Sequence, residues 1–349
     1  MDKYIQLLKS LISVQSFSKN EQDAANLIRQ FLDQSNVAYR VKENNTWAKN
    51  QHWREGIPVI LLNSHIDTVK PASGYTRDPF SADIEEGVLY GLGSNDAGGP
   101  LVTLLAVFMH FYKTENLPFN LVYAASAEEE ISGPNGLASI LDEIGPFSLA
   151  IVGEPTQMKM AIAEKGLMVL DCTAQGTSGH AAREEGENAI YKAMADIERL
   201  RNFRFEKTSD VLGAVKLSVT MIHSGTQHNV VPDQCSFVVD VRTNEHYPNR
   251  EALRIIDELL DSDVNARSLR LNSSAIAVDH PFVKRGIQLG ISYYGSPTTS
   301  DQAVIPYPSV KIGPGDSARS HTADEYILVS EMEEGLRIYI DLLTDLVLG

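Results

Sequence analysis

The first forty residues of the chain alternate apolar and polar positions with the period of two amphipathic helices. The apolar face of the first predicted helix comprises Tyr4, Leu7, Leu8 and Leu11. The apolar face of the second comprises Ala25, Ile28, Phe31 and Leu32. Ser18 is followed three residues later by Glu21, a spacing that predicts a capping box at the start of the second helix.

Short, continuous apolar runs then predict buried strands, separated by helical segments. The predicted strands are Tyr39–Val41, Pro58–Leu62, Leu121–Ala125 and Leu149–Val152. The buried face of an intervening helix comprises Leu101, Leu104, Leu105 and Phe108. Apolar strands that alternate with helices are typical of an α/β layered fold, with a mostly parallel sheet and helices on both faces.

From Lys165 the pattern changes to a β-α-β-β-α-β order, which is typical of a ferredoxin-like arrangement. The strands are predicted at Met168–Thr173, Gly213–Ile222, Gln234–Arg242 and Leu269–Ala275, and the helices at Gly186–Leu200 and Arg250–Leu260. Helix–strand alternation resumes at Pro281 and closes with a helix at Val329–Leu348. We therefore expect an inserted domain at 163–277, between catalytic segments 1–162 and 278–349.

Composition narrows the class of protein. The 349 residues are 43% hydrophobic and 22% charged, which is typical of a globular protein. The formal net charge is -16, and a negatively charged surface repels phosphate backbones. The charge therefore argues against nucleic-acid binding. No apolar run is long enough to span a bilayer, and the N-terminus lacks the pattern of a signal peptide. Cys172 and Cys235 are expected as buried thiols. These features predict a cytoplasmic protein that binds no membrane.

Polar groups follow the predicted strands at their carboxyl ends, where open α/β sheets bind ligands. The first such strand runs into His65 and Asp67, and the later ones run into Glu128–Glu130, Glu154 and, after a longer polar segment, His321. Asp96 lies in a glycine-rich turn before a helix. Carboxylates crowded together repel unless a cation neutralises them. Imidazole and carboxylate ligands without cysteine indicate zinc, cobalt or manganese.

Each of these residues also has an ordinary structural interpretation. His65 fits a hydrogen-bonded structural histidine, Asp96 a helix cap, Glu128–Glu130 a solvated loop and Glu154 a turn residue. The combination of all of them at one rim of a sheet favours a metal site. The glycine-rich turn matches neither a phosphate-binding loop nor a dinucleotide fingerprint, and no G-x-S-x-G elbow is present.

Taken in order, these motifs resemble the M20 metallopeptidase family. They are H-x-D at 65–67, G-x-G-x-x-D at 91–96, the glutamate triplet at 128–130, G-E-P-T at 153–156 and a late histidine at 321. The resemblance covers nearly the whole chain. It implies a catalytic domain with two zinc ions, for which cobalt or manganese can substitute, and an inserted lid domain that forms a homodimer.

The resemblance also implies a role for each residue at the metal centre. His65 and Glu154 would hold one zinc ion, Glu130 and His321 the other, and Asp96 would bridge both. Asp67 would accept the second ring N–H of His65 and fix its tautomer. Glu129 would be the general base and Glu128 a structural residue.

Further residues are assigned by resemblance alone. His180 lies in a G-x-x-x-H element whose histidine would stabilise the transition state in the partner subunit. Asn229 and Arg242 resemble residues that meet the substrate's carboxylate or oxyanion, although Arg242 fits a structural ion pair equally well. Ser300 lies in a loop that resembles one close to the substrate.

The resemblance implies hydrolysis of the amide bond of a small N-acetyl or N-succinyl amino acid. The amino acid would be ornithine, citrulline or lysine, or one similar to them. The reaction would belong to amino-acid biosynthesis, such as the arginine or lysine pathways. The alternative is a dizinc exopeptidase or dipeptidase with the same core. A third hypothesis is a metal-binding scaffold without catalysis, against which the presence of Glu129 argues.

Overall fold

The computed structural model describes residues 1–183 and 185–348. The chain forms two compact units. The first comprises Met1–Ile162, Ala275–Tyr294 and Ser300–Gly349, and the second comprises Ala163–Ser274 and Gly295–Thr299. None of the helices in the described ranges has both the length and the apolar character needed to cross a bilayer.

The secondary structure consists of helices and strands that alternate along the chain. The helices are α1 (Asp2–Ile12), α2 (Gln22–Gln34), α3 (Gly99–Phe111), α4 (Leu141–Ile144), α5 (Ala189–Asn202), α6 (Asn249–Leu259), α7 (Pro281–Gln288) and α8 (Val329–Leu343). The strands are β1 (Tyr39–Lys42), β2 (Asn45–Lys49), β3 (Val59–His65), β4 (Ile84–Glu85), β5 (Val88–Tyr90), β6 (Asn120–Ser126), β7 (Leu149–Val152), β8 (Met160–Glu164), β9 (Gly166–Gln175), β10 (Gly179–His180), β11 (Lys216–Ser224), β12 (Val230–Val231), β13 (Gln234–Thr243), β14 (Asp263–Ala266), β15 (Ser274–Ala275), β16 (Tyr293–Ser296), β17 (Ser309–Lys311) and β18 (Tyr326–Leu328).

A nine-stranded sheet forms the centre of the first unit. Its strands run in the order β1-β2-β6-β3-β7-β17-β8-β15, and β16 also pairs with β8. The four central strands β6, β3, β7 and β17 are parallel, whereas β2 and β8 flank them antiparallel. The prediction of a mostly parallel α/β sheet is therefore confirmed.

Helices cover both faces of this sheet, because successive side chains of a buried strand point to opposite faces. On one face, Phe108 of α3 lies against Tyr123 of β6 with ring centroids 5.8 Å apart. On the other face, Leu61 and Val122 belong to a cluster with Ile144 of α4. Strands buried on both faces explain the continuous apolar runs in the sequence.

The start of α2 differs from the predicted capping box. Glu21 occupies the N-cap position and makes no side-chain cap bond. Its carboxylate instead accepts hydrogen bonds from Lys19 N (2.6 Å) and Asn44 Nδ2 (2.8 Å). The hydroxyl of Ser18, which was predicted to cap the helix, donates to Asp67 Oδ2 at 2.7 Å. Its hydrogen-bond partner is therefore a carboxylate from a distant part of the chain.

The second unit contains the β-α-β-β-α-β order in strands β9, β11, β13 and β14 and helices α5 and α6. The sheet is antiparallel, in the order β11-β13-β9-β14. Its core includes Leu170, Val239, Ala193 and Ile256, all with no exposed surface. The described cysteines are both free and buried, as expected.

The predicted last strand of this sheet, Leu269–Ala275, is wrong. The fourth strand is β14, Asp263–Ala266, which pairs with β9. The segment D-V-N-A is short and half polar, and its alternate residues are exposed. An edge strand with so little apolar character carries a weak periodic signal, so the sequence pattern favours the more apolar segment beyond it.

Candidate metal centre

The parallel strands of the first unit end at one edge of its sheet, and that edge carries the candidate ligands. His65 is the last residue of β3, and it pairs with Ser126 at the end of β6. Glu129 and Glu130 lie three and four residues after the end of β6. Asn63 of β3 pairs with Val152, the last residue of β7, and Glu154 follows two residues later. The side chains that follow these strands therefore converge at the same rim.

Asp96 reaches this rim from the turn Ser94–Gly98, which precedes α3. The preceding residue Gly93 has φ = 74°, a conformation that favours glycine. Asp96 does not cap α3, because Gly98 occupies the N-cap position and no side-chain cap bond is formed. The helix-cap interpretation of Asp96 is thus excluded.

The carboxylate of Asp96 lies between two imidazole rings. Its Oδ1 atom is 3.3 Å from His65 Nε2, and its Oδ2 atom is 3.7 Å from His321 Nε2. On one side, Glu154 Oε1 is 3.8 Å from His65 Nε2. On the other, Glu130 Oε2 is 3.1 Å from His321 Nε2. The structure therefore brings together all five side chains named as metal ligands.

Glu129 belongs to the same group of side chains. Its Oε2 atom is 3.9 Å from His65 Nε2, a distance close to that of Glu154. The neighbouring Glu128 points elsewhere, because its carboxylate accepts hydrogen bonds from the backbone N and the Nδ2 of Asn135. Within the glutamate triplet, Glu129 thus faces His65 and Glu130 faces His321. Glu128 instead bonds to Asn135 within the loop that follows β6.

The contact between His65 and Asp67 differs from the expected one. His65 Nδ1 is 2.9 Å from the backbone carbonyl oxygen of Asp67 and 3.5 Å from its carboxylate, so the carbonyl is the nearer acceptor. A protonated Nδ1 leaves the lone pair of Nε2 facing the carboxylates. The carboxylate of Asp67 also accepts the backbone N–H groups of Glu129 (3.0 Å) and Glu130 (3.1 Å).

Two carboxyl groups at this rim, those of Glu129 and Glu154, have raised pKa values. Burial, together with the charges of Asp96 and Glu130, raises the pKa of Glu154 to about 8, against the opposing charges of His65 and Lys311. Burial also raises the pKa of Glu129 well above its ordinary value, and the charge of Glu154 adds to this effect. Without a cation, these two glutamates lose their protons at a higher pH than isolated carboxyls do.

The pKa values of the two histidines at this rim are also raised. A hydrogen bond with Glu130 raises the pKa of His321 to about 9. Burial alone would lower the pKa of His65, but hydrogen bonds with Asp67 and Asp96 and the charges of Glu129 and Glu154 together raise it well above 6.5. A metal ion bound here would compete with the protons of both imidazoles, because metal ligands must be deprotonated.

The donor set fits divalent metal ions. Two groups of side chains, His65–Asp96–Glu130 and His65–Glu129–Glu154, each have ligand atoms within 4.8 Å of one another. The donors are imidazole nitrogen and carboxylate oxygen, which suit zinc, cobalt and manganese. The geometry brings Glu129 as close as Glu154, so distances alone do not separate a ligand from a base.

The predicted residues of the second unit have contacts within that unit. His180 in β10 is exposed, and its Nδ1 accepts the backbone N–H of Ala182 at 3.1 Å. In the neutral ring the proton is therefore on Nε2, which is a hydrogen-bond donor. The backbone oxygen of Asn229 accepts from Ala181 N at 3.0 Å. Arg242 makes two hydrogen bonds with Asp240, at 2.9 and 3.1 Å, so the structural ion pair is present.

Two buried carboxylates near the rim were not predicted as site residues. Asp301 Oδ2 accepts hydrogen bonds from Ser126 Oγ (2.7 Å) and Asn63 Nδ2 (2.9 Å), and its charge contributes to the raised pKa of Glu129. The preceding Ser300 accepts from Gln302 N, as the cap of a short turn. In the sequence, Asp301 is marked only by its position next to Ser300, in the loop that resembles one close to the substrate.

Glu325 is the second of these carboxylates, and it lies four residues after His321. It accepts hydrogen bonds from the backbone N–H groups of Gly93, Asn95 and Asp96. Burial raises its pKa to about 7 against the effect of these donors. No local motif marks Glu325 in the sequence, because its partners are more than 200 positions away.

Known proteins share both the sequence pattern and the fold. The sequence model of peptidase family M20/M25/M40 matches residues 61–345. A putative LysW-lysine/LysW-ornithine hydrolase of Aeropyrum pernix is 28% identical over 310 residues, which cover 83% of this chain and 81% of that protein. A succinyl-diaminopimelate desuccinylase of Wolbachia pipientis is 24% identical over 290 residues, covering 77% and 72%.

Among solved structures, a dinuclear metal-binding peptidase of the M20 family from Bacillus subtilis superimposes with a TM-score of 0.72 at 17% identity. The match covers 100% of this chain and 99% of that protein. At this identity the likeness concerns the fold.

Proposed function

Because the chain belongs to peptidase family M20/M25/M40 and is a hydrolase of amide bonds, we propose that it uses two zinc ions to release an amino acid from a small N-acyl derivative. The observation that carries this proposal is the carboxylate of Asp96 between His65 and His321. A carboxylate flanked by two imidazoles suits two adjacent cations, because each imidazole can bind one ion and the carboxylate can bind both.

The proposed division of ligands follows these distances. His65 and Glu154 would hold one ion, Glu130 and His321 the other, and Asp96 both. Cobalt or manganese would serve in place of zinc, because the donors are nitrogen and oxygen only. Two such cations lower the pKa of a water molecule and stabilise negative charge that develops on an amide carbonyl.

Glu129 is the proposed general base. It would accept the proton of the attacking water and return it to the leaving amine nitrogen. Its pKa is raised in the metal-free protein because it is buried among other carboxyls. Two adjacent cations reverse that balance and favour the carboxylate. The hydrogen bond from its backbone N–H to Asp67 would hold the base in position.

The second unit would supply further groups to the substrate, in keeping with the inserted lid domain predicted at 163–277. His180 has its Nδ1 occupied by Ala182 N, so Nε2–H is available as a donor for the oxyanion. We assign the substrate's carboxylate or oxyanion to Asn229 and Arg242, and we also assign Ser300 to substrate binding. Arg242 retains Asp240 as its partner, which would orient its guanidinium.

A homodimer is part of the proposal, and exposed apolar side chains of the second unit support it. Strand β11 is an edge strand of its sheet, and Met221 and Ile222 on it are 51% and 49% exposed. On α5, Tyr191 and Met194 are 70% and 56% exposed. Unpaired strand edges and clustered apolar side chains are typical of surfaces that bind another chain. His180 would then act in the partner's site.

The proposed substrates are N-acetyl or N-succinyl derivatives of ornithine, citrulline or lysine. The support is the similarity to a desuccinylase and to a hydrolase of carrier-bound lysine and ornithine. An enzyme of this kind would serve amino-acid biosynthesis, such as the arginine or lysine pathways, in the cytoplasm.

The test is a substrate panel measured as release of free amine. N-acetyl and N-succinyl amino acids and unblocked dipeptides are incubated with metal-free protein reloaded with zinc or cobalt, and Glu129→Gln is the inactive control. We expect cleavage of at least one N-acyl amino acid well above the control and slower cleavage of dipeptides. Faster cleavage of dipeptides would instead identify an exopeptidase, and no cleavage by any metal-loaded sample would refute the proposal.

A further inference from the structure

Three backbone N–H groups of the turn that carries Asp96 donate to the same side chain. The backbone N–H groups of Gly93, Asn95 and Asp96 all donate to the carboxylate of Glu325, at 3.0, 2.9 and 2.8 Å. One oxygen of Glu325 accepts from Asn95 and Asp96, and the other accepts from Gly93. The position of the Asp96 backbone therefore depends on a group from a distant part of the chain.

Glu325 is itself fixed in place. It is 2% exposed, and its backbone carbonyl accepts the N–H of Gly91 at 2.9 Å. Strand β18 begins at the next residue and pairs with β5, with Tyr326 opposite Tyr90. The carboxylate is thus mounted on a strand that is paired beside the turn.

Glu325 also links the turn of Asp96, which contacts His65, to the segment that carries His321. His321 lies four residues before it in the same segment, and Asp96 is 3.3 Å from His65. A displacement of the turn relative to this segment would change the distance between Asp96 and His321, which is 3.7 Å.

We propose that Glu325 is a positioning residue that fixes the Asp96 turn and thereby places the shared carboxylate between the two metal ions. This inference rests on the proposed function in one respect, namely that Asp96 binds both ions. Residues that orient metal ligands in this way affect metal affinity by about 10- to 100-fold when they are replaced.

The turn has a second attachment, which predicts that a variant at Glu325 still folds. The side chain of Asn95 donates to the backbone oxygen of Asp316 at 3.1 Å and accepts from its N–H at 3.0 Å. Loss of the Glu325 carboxylate therefore loosens the turn without releasing it. In Glu325→Gln, one carboxylate oxygen is replaced by an NH2 group. This group is a hydrogen-bond donor, so it cannot accept from the backbone N–H groups that it faces.

Hydrogen exchange of the metal-free protein tests the first half of the proposal without any metal. In the wild-type chain, the amides of Gly93, Asn95 and Asp96 are expected to exchange slowly although their acceptor is a side chain. In Glu325→Gln, the peptide spanning 91–98 is expected to exchange faster, while a peptide from β6 is unchanged. Fast exchange of these amides in the wild type, or unchanged exchange in the variant, would overturn the inference.

Zinc titration by calorimetry tests the second half, with Asp324→Asn as the matched control. Asp324 is the preceding residue, and its carboxylate holds Thr76 and Arg77 rather than the Asp96 turn. We expect Glu325→Gln to bind at least one of two ions about 10- to 100-fold more weakly, and Asp324→Asn to bind both as the wild type does. Wild-type affinities in Glu325→Gln would overturn the inference, whereas a wild-type chain that binds no ion would refute the proposed function.

Discussion

The carboxylate of Asp67 accepts the backbone N–H of Glu129 at a distance of 3.0 Å. It also accepts the N–H of Glu130 at 3.1 Å, so one side chain sets the position of both the proposed base and a proposed ligand. The family resemblance implies only the contact of Asp67 with His65. In the structure its backbone carbonyl is the nearer acceptor for His65, and its carboxylate also accepts N–H groups of the glutamate loop.

Replacement of Asp67 by asparagine is expected to lower kcat/KM by about 10- to 100-fold. An amide presents one acceptor and one donor, so at least one of the N–H groups of Glu129 and Glu130 would lose its partner. Steady-state hydrolysis by zinc-loaded protein measures this effect. Ser18→Ala is the matched control, because it removes the other donor to Asp67, and we expect it to cost about fivefold or less, equivalent to ~1 kcal/mol. An equal loss in both variants would contradict the role of Asp67 in the glutamate loop.

The division of roles between Glu129 and Glu130 leads to a separate prediction. Glu129→Gln should retain two zinc ions per chain, while kcat falls by at least about 100-fold, as expected for loss of a general base. Glu130→Gln should lose one ion. Zinc content measured by elemental analysis, together with kcat, separates the two cases. Loss of zinc from Glu129→Gln would mean that Glu129 is a ligand.

Action of His180 in the partner subunit predicts complementation. His180→Ala protomers and Asp96→Ala protomers are each inactive alone, but a hybrid dimer contains one complete site. Random exchange of subunits should restore about a quarter of wild-type activity, because half of the dimers are hybrids with one site each. A mixture of Glu129→Gln and Asp96→Ala protomers is the control, since both changes affect the same site. Absence of recovery in the first mixture would exclude action in trans.

The raised pKa of Glu154 predicts how the stability of the metal-free protein depends on pH. Its pKa is about 8 in the folded chain, against 4.5 for an ordinary glutamate. The folded state therefore binds a proton that the unfolded state releases, so stability contributed by this group is present at low pH and is lost as pH rises towards 8.

This prediction is checked by thermal unfolding in the presence of a chelator at pH 5 to 8. We expect Tm of the wild type to fall with rising pH more steeply than Tm of Glu154→Gln. The exposed residue Glu115 offers a control, and Glu115→Gln should follow the wild type. The same pH dependence in Glu154→Gln and the wild type would contradict the prediction.

Much of the fold was predictable because it depends on local periodicity. Strands such as β3 and β6 are buried on both faces, so their apolar runs are continuous and their ends are marked by polar residues. The rule that ligands bind beyond the carboxyl ends of parallel strands then brought His65 and Glu154 to one rim. Local pattern combined with one topological rule was sufficient for these residues.

Other features depend on contacts between distant parts of the chain, and no local pattern records them. Ser18 matched a capping box by its spacing, but it donates to Asp67, 49 positions away. Glu325 and Asp301 are buried carboxylates whose partners lie on other elements. Strand β14 is too short and polar to be recognised without its pairing to β9. These outcomes were decided by tertiary competition for hydrogen bonds, not by propensity.

The central claim is that Asp96 binds two adjacent metal ions, and a zinc-loaded crystal measured at the zinc absorption edge tests it most directly. The account predicts two anomalous peaks per chain, about 3.5–4 Å apart, with Asp96 in contact with both. One peak should also contact His65 and Glu154, and the other Glu130 and His321. A single peak, or two peaks that do not share Asp96, would contradict the account.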